Sequence, residues 1–316
     1  MKLVIPGGSG QVGQVLARAF VEDGHDVVIL GRVERPMTGR FVCWDGRSLT
    51  DWAREIEGAD AVINLAGRSV NCRYTEKNLR DMLDSRVDST RVVGEAIAAA
   101  SRPPPVWLQM STATIYAHRF DAPNDEATGI MGGHEPDAPR YWRRSIEIAE
   151  AWEHTQIAAN TPRTRRVALR TAMVMSPDRG GVFDTLLRLV RFGLGGPVAG
   201  GRQFVSWIHD QDFVRAVGFL LDHPDITGPV NLAAPNPLVY REFMQALRSA
   251  WGIRLGLPAT KWMLELGAFF LRTDTELVLK SRRVVPGVLL NEGFAFDAPK
   301  WSDAAEDLVA RWRASG

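Results

Sequence analysis

The sequence predicts an α/β fold in which a doubly wound parallel sheet carries a second, smaller and discontinuous lobe. Strand-like and helix-like runs alternate through the first half, inner strands are apolar on both faces, and a glycine-rich turn joins the first strand to the first helix. Strands joined by crossover helices form parallel sheets, and strands covered on both faces lose the polar–apolar alternation of half-exposed ones. At 316 residues the chain has room for one large α/β domain and a small companion.

The first strand, Lys2–Ile5, leads into Pro6, Gly7, Gly8, Ser9, Gly10, Gln11, Val12 and Gly13. Gly7, Gly8, Gly10 and Gly13 satisfy both G-x-G-x-x-G, counted from Gly8, and G-x-x-G-x-x-G, counted from Gly7. One glycine permits the sharp turn, another lets backbone approach a pyrophosphate, and a third lets the helix close on the strand. The helix Gln11–Glu22 follows, with Val12, Val15, Leu16 and Phe20 at helical spacing. Its unpaired N–H groups, around Gln11, Val12 and Gly13, face an anion at the turn. This strand–turn–helix context identifies a Rossmann-type dinucleotide cradle.

The second strand, Asp26–Leu30, ends at Gly31-Arg32. An NAD site usually carries Asp or Glu there, about twenty residues past the glycines, to hold the ribose 2′-hydroxyl. Arg32 offers instead a guanidinium fork for a 2′-phosphate, so the expected cofactor is NADP(H). The alternative is a solvated Arg32, with Glu34 or another group on the ribose. Strands follow at Arg40–Trp44, Ala61–Leu65, Val106–Met110 and Arg166–Val174, with helices at Thr50–Glu57, Thr75–Ala100 and Tyr141–Ala158. Pro103, Pro104 and Pro105 end the long helix, and the Asp-, Pro- and Gly-rich stretch from Phe120 to Pro139 reads as a surface loop.

After Ser176 the character changes. Phe183, Leu186, Leu187 and Val190 mark an amphipathic helix, Val230–Ala233 reads as a strand, and Tyr240–Trp251 and Ala259–Leu271 read as helices. The expected division is a dinucleotide-binding domain over 1–175, to which 207–235 return, and a substrate lobe made of 176–206 and 236–316.

The net charge of +1 excludes a broad electrostatic footprint for nucleic acid or an anionic membrane. Cys43 and Cys72 lack metal-ligand or C-x-x-C spacing, so neither a disulfide framework nor a metal site is expected. Trp262–Leu271 is too short to span a bilayer and contains Glu265. A soluble cytoplasmic monomer or homodimer acting on a small molecule fits these features.

Three further segments align with the glycine turn. Asn64, Leu65, Ala66 and Gly67 end the fourth strand with small residues where a backbone passes a ribose and nicotinamide. Ser111, Thr112, Ala113, Thr114, Ile115 and Tyr116 put hydroxyls at the carboxyl edge of the sheet, and Leu169-Arg170-Thr171 lies in the sixth strand. With Gly7–Gly13 this set resembles the extended short-chain dehydrogenase/reductase superfamily. Arg73-Tyr74-Thr75, Ser85-Arg86, Trp152-Glu153, Ser206-Trp207-Ile208-His209 with Asp212, Asn231–Pro235, Arg283–Pro286 and Gly293–Phe296 narrow the resemblance to its atypical, YfcH-like epimerase family, whose members share a small C-terminal domain.

The resemblance implies an epimerase or oxidoreductase label and a set of site residues. Cofactor contacts fall on Gly7, Gly10, Gln11, Val12, Gly13, Arg32, Asp45, Leu65, Ala66, Gly67, Ser111 and Arg170, with Asp45 similar to the acid that accepts the adenine amino group. Thr112 matches the family's catalytic hydroxyl. Tyr141 is the candidate general acid, but the Y-x-x-x-K lysine is absent because position 145 is Ser and no lysine lies between Lys77 and Lys261. Counting back from Glu150 puts Trp142 in that register instead. Arg86 takes the place of the usual helix asparagine. Arg73 and Tyr74 are candidates for clamping a substrate carboxylate or phosphate. Trp207 is a further substrate candidate, and the neighbouring His209 reads as a structural histidine. The readings are an NADP(H)-dependent reductase or epimerase-like enzyme on a small carbonyl or enone, a non-catalytic NADP(H) redox sensor, and a sugar-nucleotide epimerase or dehydratase.

Overall fold

The computed structural model describes residues 1–136, 139, 141–258 and 276–315. Seven parallel strands form the central sheet: β1 (Lys2–Pro6), β2 (Asp26–Gly31), β3 (Arg40–Cys43), β4 (Ala61–Asn64), β5 (Val106–Thr112), β6 (Arg165–Thr171) and β10 (Gly228–Leu232). Their order is β10-β6-β5-β4-β1-β2-β3, which reverses direction between β1 and β4, where open α/β sheets bind ligands. Leu3, Val4 and Ile5 of β1 and Val28, Ile29 and Leu30 of β2 are wholly buried, as two-face coverage requires.

Helix α1 (Gln11–Glu22) begins at the end predicted for it. It packs Leu16, Ala17 and Phe20 against the sheet, together with Phe213, Val217 and Leu220 of α5 (Asp210–Asp222). Helices α2 (Glu76–Ala99) and α3 (Trp142–Ala158) cover part of the sheet from another side. The expected helix at Thr50–Glu57 is a short 3-10 turn, Asp51–Glu55, anchored by buried Trp52 against the Trp44 ring at 5.3 Å.

The expected sixth strand divides in two. After Thr171, the Ala172 N–H donates to the Leu232 carbonyl, and β7 (Met173–Met175) leaves the sheet to pair with β9 (Trp207–His209). A continuous apolar run does not encode that change of partner. The short strands β8 (Phe204–Val205) and β11 (Leu238–Val239) form a separate antiparallel pair.

A second core is built by α4 (Val182–Arg191), α6 (Tyr240–Trp251) and the C-terminal helix, here α9 (Trp301–Ala314). Its centre is aromatic, with Trp301 stacked on Phe243 at 4.1 Å and edge-on to Trp207 at 4.9 Å. The intervening short helices are α7 (Glu276–Leu279) and α8 (Gly287–Asn291). Leu289 and Phe294, grouped with the lobe in the sequence analysis, pack into the core of the main sheet. The expected helix Ala259–Leu271 lies outside the described residues.

Candidate active site

The glycines of the first turn have separate jobs. Gly7 has φ +75°, and a Cβ there would come within 2.6 Å of the Ala66 backbone, so neither conformation nor space admits a side chain. A Cβ on Gly13 would drive into the Gly8 backbone, which is the close helix–strand approach. At Gly10 the nearest atom is the Gly7 carbonyl oxygen at 3.5 Å; the fold does not need glycine there. Gly10 is the N-cap of α1 and supplies no side-chain cap, so the first-turn N–H groups of Gln11, Val12 and Gly13 border an open turn. These residues fit a dinucleotide pyrophosphate: backbone donors, a helix N-terminus, and a glycine whose missing side chain serves nothing inside the protein.

The turn is held from beneath. Gly7 N–H donates to Leu30 O at 2.8 Å, Leu65 N–H to Pro6 O at 2.8 Å, and the Gln14 amide to Gly8 O at 2.9 Å. Asn64, fully buried, accepts from Ala66 N–H at 3.1 Å and donates to Gln109 at 2.9 Å. These bonds bring Leu65, Ala66 and Gly67 beside the glycine turn. Gln11 reaches across to Gly181, the N-cap of α4, where a Cβ would overlap its amide.

Arg32 follows β2 and is exposed, with no partner among the described residues. A Cβ on its neighbour Gly31 would lie 3.2 Å from Ser9 Oγ, which places the end of β2 against the glycine turn. Glu34 is exposed as well. Asp45 accepts from Arg47 N–H at 2.8 Å and Ser48 N–H at 2.9 Å. Its carboxyl is held below the usual range by those two backbone bonds, Ser48 first; this is the work of a turn residue.

Two expected cofactor contacts are committed elsewhere. Arg170 binds Glu153 bidentately at 2.8 and 2.9 Å, donates to the Tyr116 hydroxyl at 2.9 Å, and is 8 % exposed. Burial works against its charge, yet the Glu153 bonds raise its pKa overall. Ser111 donates to Glu153 at 2.6 Å from a buried position. Tyr116 passes the network to Asn231 at 3.0 Å, and Asn231 donates to Val285 O at 2.9 Å. Arg170 and Ser111 therefore belong to a buried scaffold tying β5, β6, β10 and α3 together rather than to a surface that meets a nucleotide.

Thr112 ends β5, half-buried, and its hydroxyl oxygen accepts from Thr114 N–H at 3.1 Å. That bond fixes the oxygen and leaves the O–H available as a donor. Tyr141 is 42 % exposed at the N-cap of α3, edge-on to Trp142, whereas Trp142 is buried against His118 at 5.1 Å. Of the two registers, Tyr141 presents a ring to solvent.

Arg86 is 9 % exposed, with its guanidinium 4.8 Å above the Trp152 ring and one bond, to Met82 O, at 3.0 Å. No carboxylate among the described residues pairs with it. Burial pushes its pKa down to about 10, so this cation is costly as it stands. A Cβ on Gly67 would touch it at 3.3 Å, which sets it directly under the end of β4. Arg73 is exposed and Tyr74 half-buried in the adjoining loop.

Trp207, a substrate candidate, is wholly buried in the aromatic core against Trp301; it packs and does not reach a ligand-accessible edge. His209 is structural: its Nε2 meets Asp307 at 3.0 Å and its Nδ1 accepts from Gln211 N–H at 3.3 Å at the start of α5. Sequence reasoning missed Lys280 and Arg282, which the fold carries to Thr114 beside Thr112, and Glu276, which it carries to Ser145 of α3. No pattern local to that segment marks them, because their partners lie far away in sequence. Among the described residues no group of His, Cys, Asp or Glu is arranged to hold a metal, and no helix is long and apolar enough to cross a membrane.

Comparison with known proteins agrees with this architecture. The profile of the NAD dependent epimerase/dehydratase family matches residues 3–233, and that of a domain of unknown function, DUF1731, matches residues 259–308. The human epimerase family protein SDR39U1 is 29 % identical over 315 residues, covering 98 % of this chain and all of the relative. A Mycobacterium leprae epimerase family protein, ML0860, is 30 % identical over 301 residues, 93 % of this chain and 91 % of that one. The crystal structure of human SDR39U1 (isoform 2) with NADPH superposes with a TM-score of 0.83 at 27 % identity, covering 98 % of this chain and 99 % of that one.

Proposed function

The chain belongs to the NAD dependent epimerase/dehydratase family, and we propose that it is an NADP(H)-dependent oxidoreductase or epimerase-like enzyme acting on a small carbonyl or enone substrate. The observation that carries this reading is the open Gly10 turn with Arg32, which has no partner among the described residues, at the end of the neighbouring strand, and the Thr112 hydroxyl at the end of β5 on the same sheet edge. The NADPH in the human SDR39U1 structure supports the cofactor assignment.

Bound NADP(H) supplies or accepts a hydride. The chain's own residues do the rest. The first turn of α1 holds the pyrophosphate, and Arg32 pairs with the 2′-phosphate through charge-assisted bonds. Thr112 keeps its proton and hydrogen-bonds through it to the substrate oxygen on which charge develops, the role of an oxyanion donor. Tyr141 stands as a second hydroxyl, without a lysine on its own helix. Arg86, with Arg73 and Tyr74 in the next loop, offers a cationic seat for an anionic substrate group.

Titrating NADPH and NADH against wild type and Gly10→Val, followed by NADPH oxidation across carbonyls and enones, tests the reading. Wild type binds NADPH more tightly than NADH and oxidises it with at least one member. Gly10→Val loses binding while its melting temperature stays within a few degrees, since a Cβ at that position meets only the Gly7 carbonyl within 4 Å. NADPH binding that differs from NADP+ binding without any turnover replaces the enzyme with a redox sensor. Interconversion of sugar nucleotides with no net NADPH loss makes it an epimerase.

A further inference from the structure

Ser145 occupies the helix position where the family's lysine is expected, and its hydroxyl donates to Glu276 Oε2 at 2.6 Å. Glu276 is wholly buried at the start of α7, and its other oxygen lies 4.0 Å from Lys280 Nζ. Lys280, 2 % exposed, donates to the Thr114 carbonyl at 2.8 Å, while Arg282 Nε donates to the Thr114 hydroxyl at 3.0 Å. Thr114 N–H is in turn the group that fixes Thr112. The segment 280–285 between α7 and α8 is a strap sewn in on both sides: Ser281 N–H donates to His118 Nδ1 at 2.7 Å, Arg282 N–H to Phe204 O at 2.9 Å, and Val284 N–H to Ser206 Oγ at 2.8 Å.

An ammonium at this depth costs far more than one at the surface, and a packing role needs none. We propose that the C-terminal strap furnishes a positive charge beside the Thr112 end of this active site, with Lys280 as a positioning residue that fixes the Thr112 turn and takes the electrostatic place of the lysine α3 lacks. The proposal rests on Thr112 being the donor to the substrate oxygen beside the nicotinamide. It gives the C-terminal domain of unknown function a task inside the catalytic centre of the other domain.

Among the described residues, the charged and titratable groups facing Lys280 are Glu276 of α7, Arg282 of the strap, and Glu135 of the loop before α3; His118 holds the next residue, and α3 presents the Ser145 hydroxyl. Burial lowers the ammonium's pKa, repulsion from Arg282 adds to that, and Glu276 and Glu135 oppose it, leaving about 8. Lys280 is therefore charged below pH 8 and neutral above. A positive charge near the nicotinamide disfavours NADP+, whose ring is cationic, relative to NADPH.

The test is the ratio of NADP+ to NADPH dissociation constants from pH 6.5 to 9.5, read by titration on the full chain. Adenosine 2′,5′-bisphosphate binding serves as the control for an intact adenosine end. In wild type the ratio falls about three- to ten-fold through a midpoint near 8, the effect of one nearby charge in a partly screened medium. Lys280→Met holds the ratio flat at its high-pH value, Lys280→Arg holds it flat at its low-pH value, and Glu276→Gln moves the midpoint down. If Lys280→Met does not fold, Lys280→Arg and Glu276→Gln decide. A wild-type ratio that does not change with pH, or a Lys280→Arg or Lys280→Met ratio with the wild-type midpoint, overturns the proposal. Failure of wild type to bind either nicotinamide form overturns the cofactor reading instead.

Discussion

The two ends of the site are built on opposite principles. At the glycine turn, neighbours in sequence do the work by lacking side chains: Gly7 makes room for Ala66, Gly13 for Gly8, and Gly10 for something outside the protein. At the Thr112 turn, side chains far apart in sequence are brought in and buried, as in Glu153 with Arg170, Tyr116 with Asn231, and Lys280 and Arg282 with Thr114. A backbone site can bind without being coupled to overall stability. A site made of buried charges cannot, because a member left without its partner carries its own desolvation cost uncompensated.

Shortening the chain to end at Pro235 should expose that contrast most severely. It removes Phe243 and Trp301 from around Trp207 and takes the strap away from Thr114, while residues 1–45 are untouched. We expect an aggregating, inactive protein; a soluble, monomeric and fully active product would show that 236–316 do not belong to the site. A smaller break is Glu153→Gln, which strands the Arg170 guanidinium beneath the sheet edge and should cost about 3–5 kcal/mol in denaturant unfolding. Replacing both partners by apolar residues should recover much of it, and a Glu153→Gln protein of wild-type stability would show the two ends to be less different than they look. The mildest is Arg32→Ala at the open end. Loss of a charge-assisted contact of about 1.5–3 kcal/mol predicts a tenfold or greater fall in NADPH affinity with NADH binding and unfolding nearly unchanged. Equal affinity of wild type for the two cofactors would remove Arg32 from the selection.

The difference between the ends also decides how much the sequence discloses. Glycine spacing, a strand before it and helical periodicity after it are local, so β1, α1 and β2 and the open turn were legible from fewer than forty residues. The buried scaffold was visible only as scattered family motifs, such as Trp152-Glu153 and Asn231, with nothing to say that Arg170 faces Glu153. Trp207 looked like a ligand-facing aromatic because burial cannot be read from a motif. The strap was beyond reach for a topological reason: Lys280 lies 166 residues from the carbonyl it holds. Patterning within one element does not specify which distant loop that element will touch.

The strap's position in the chain has a biosynthetic consequence. Domains tend to fold from the N-terminus as they emerge from the ribosome. Every residue of the glycine turn and of β2 is available early, whereas Lys280 and Arg282 are added more than two hundred residues later. A nascent chain can thus present a formed nucleotide turn long before its Thr112 hydroxyl is locked in place.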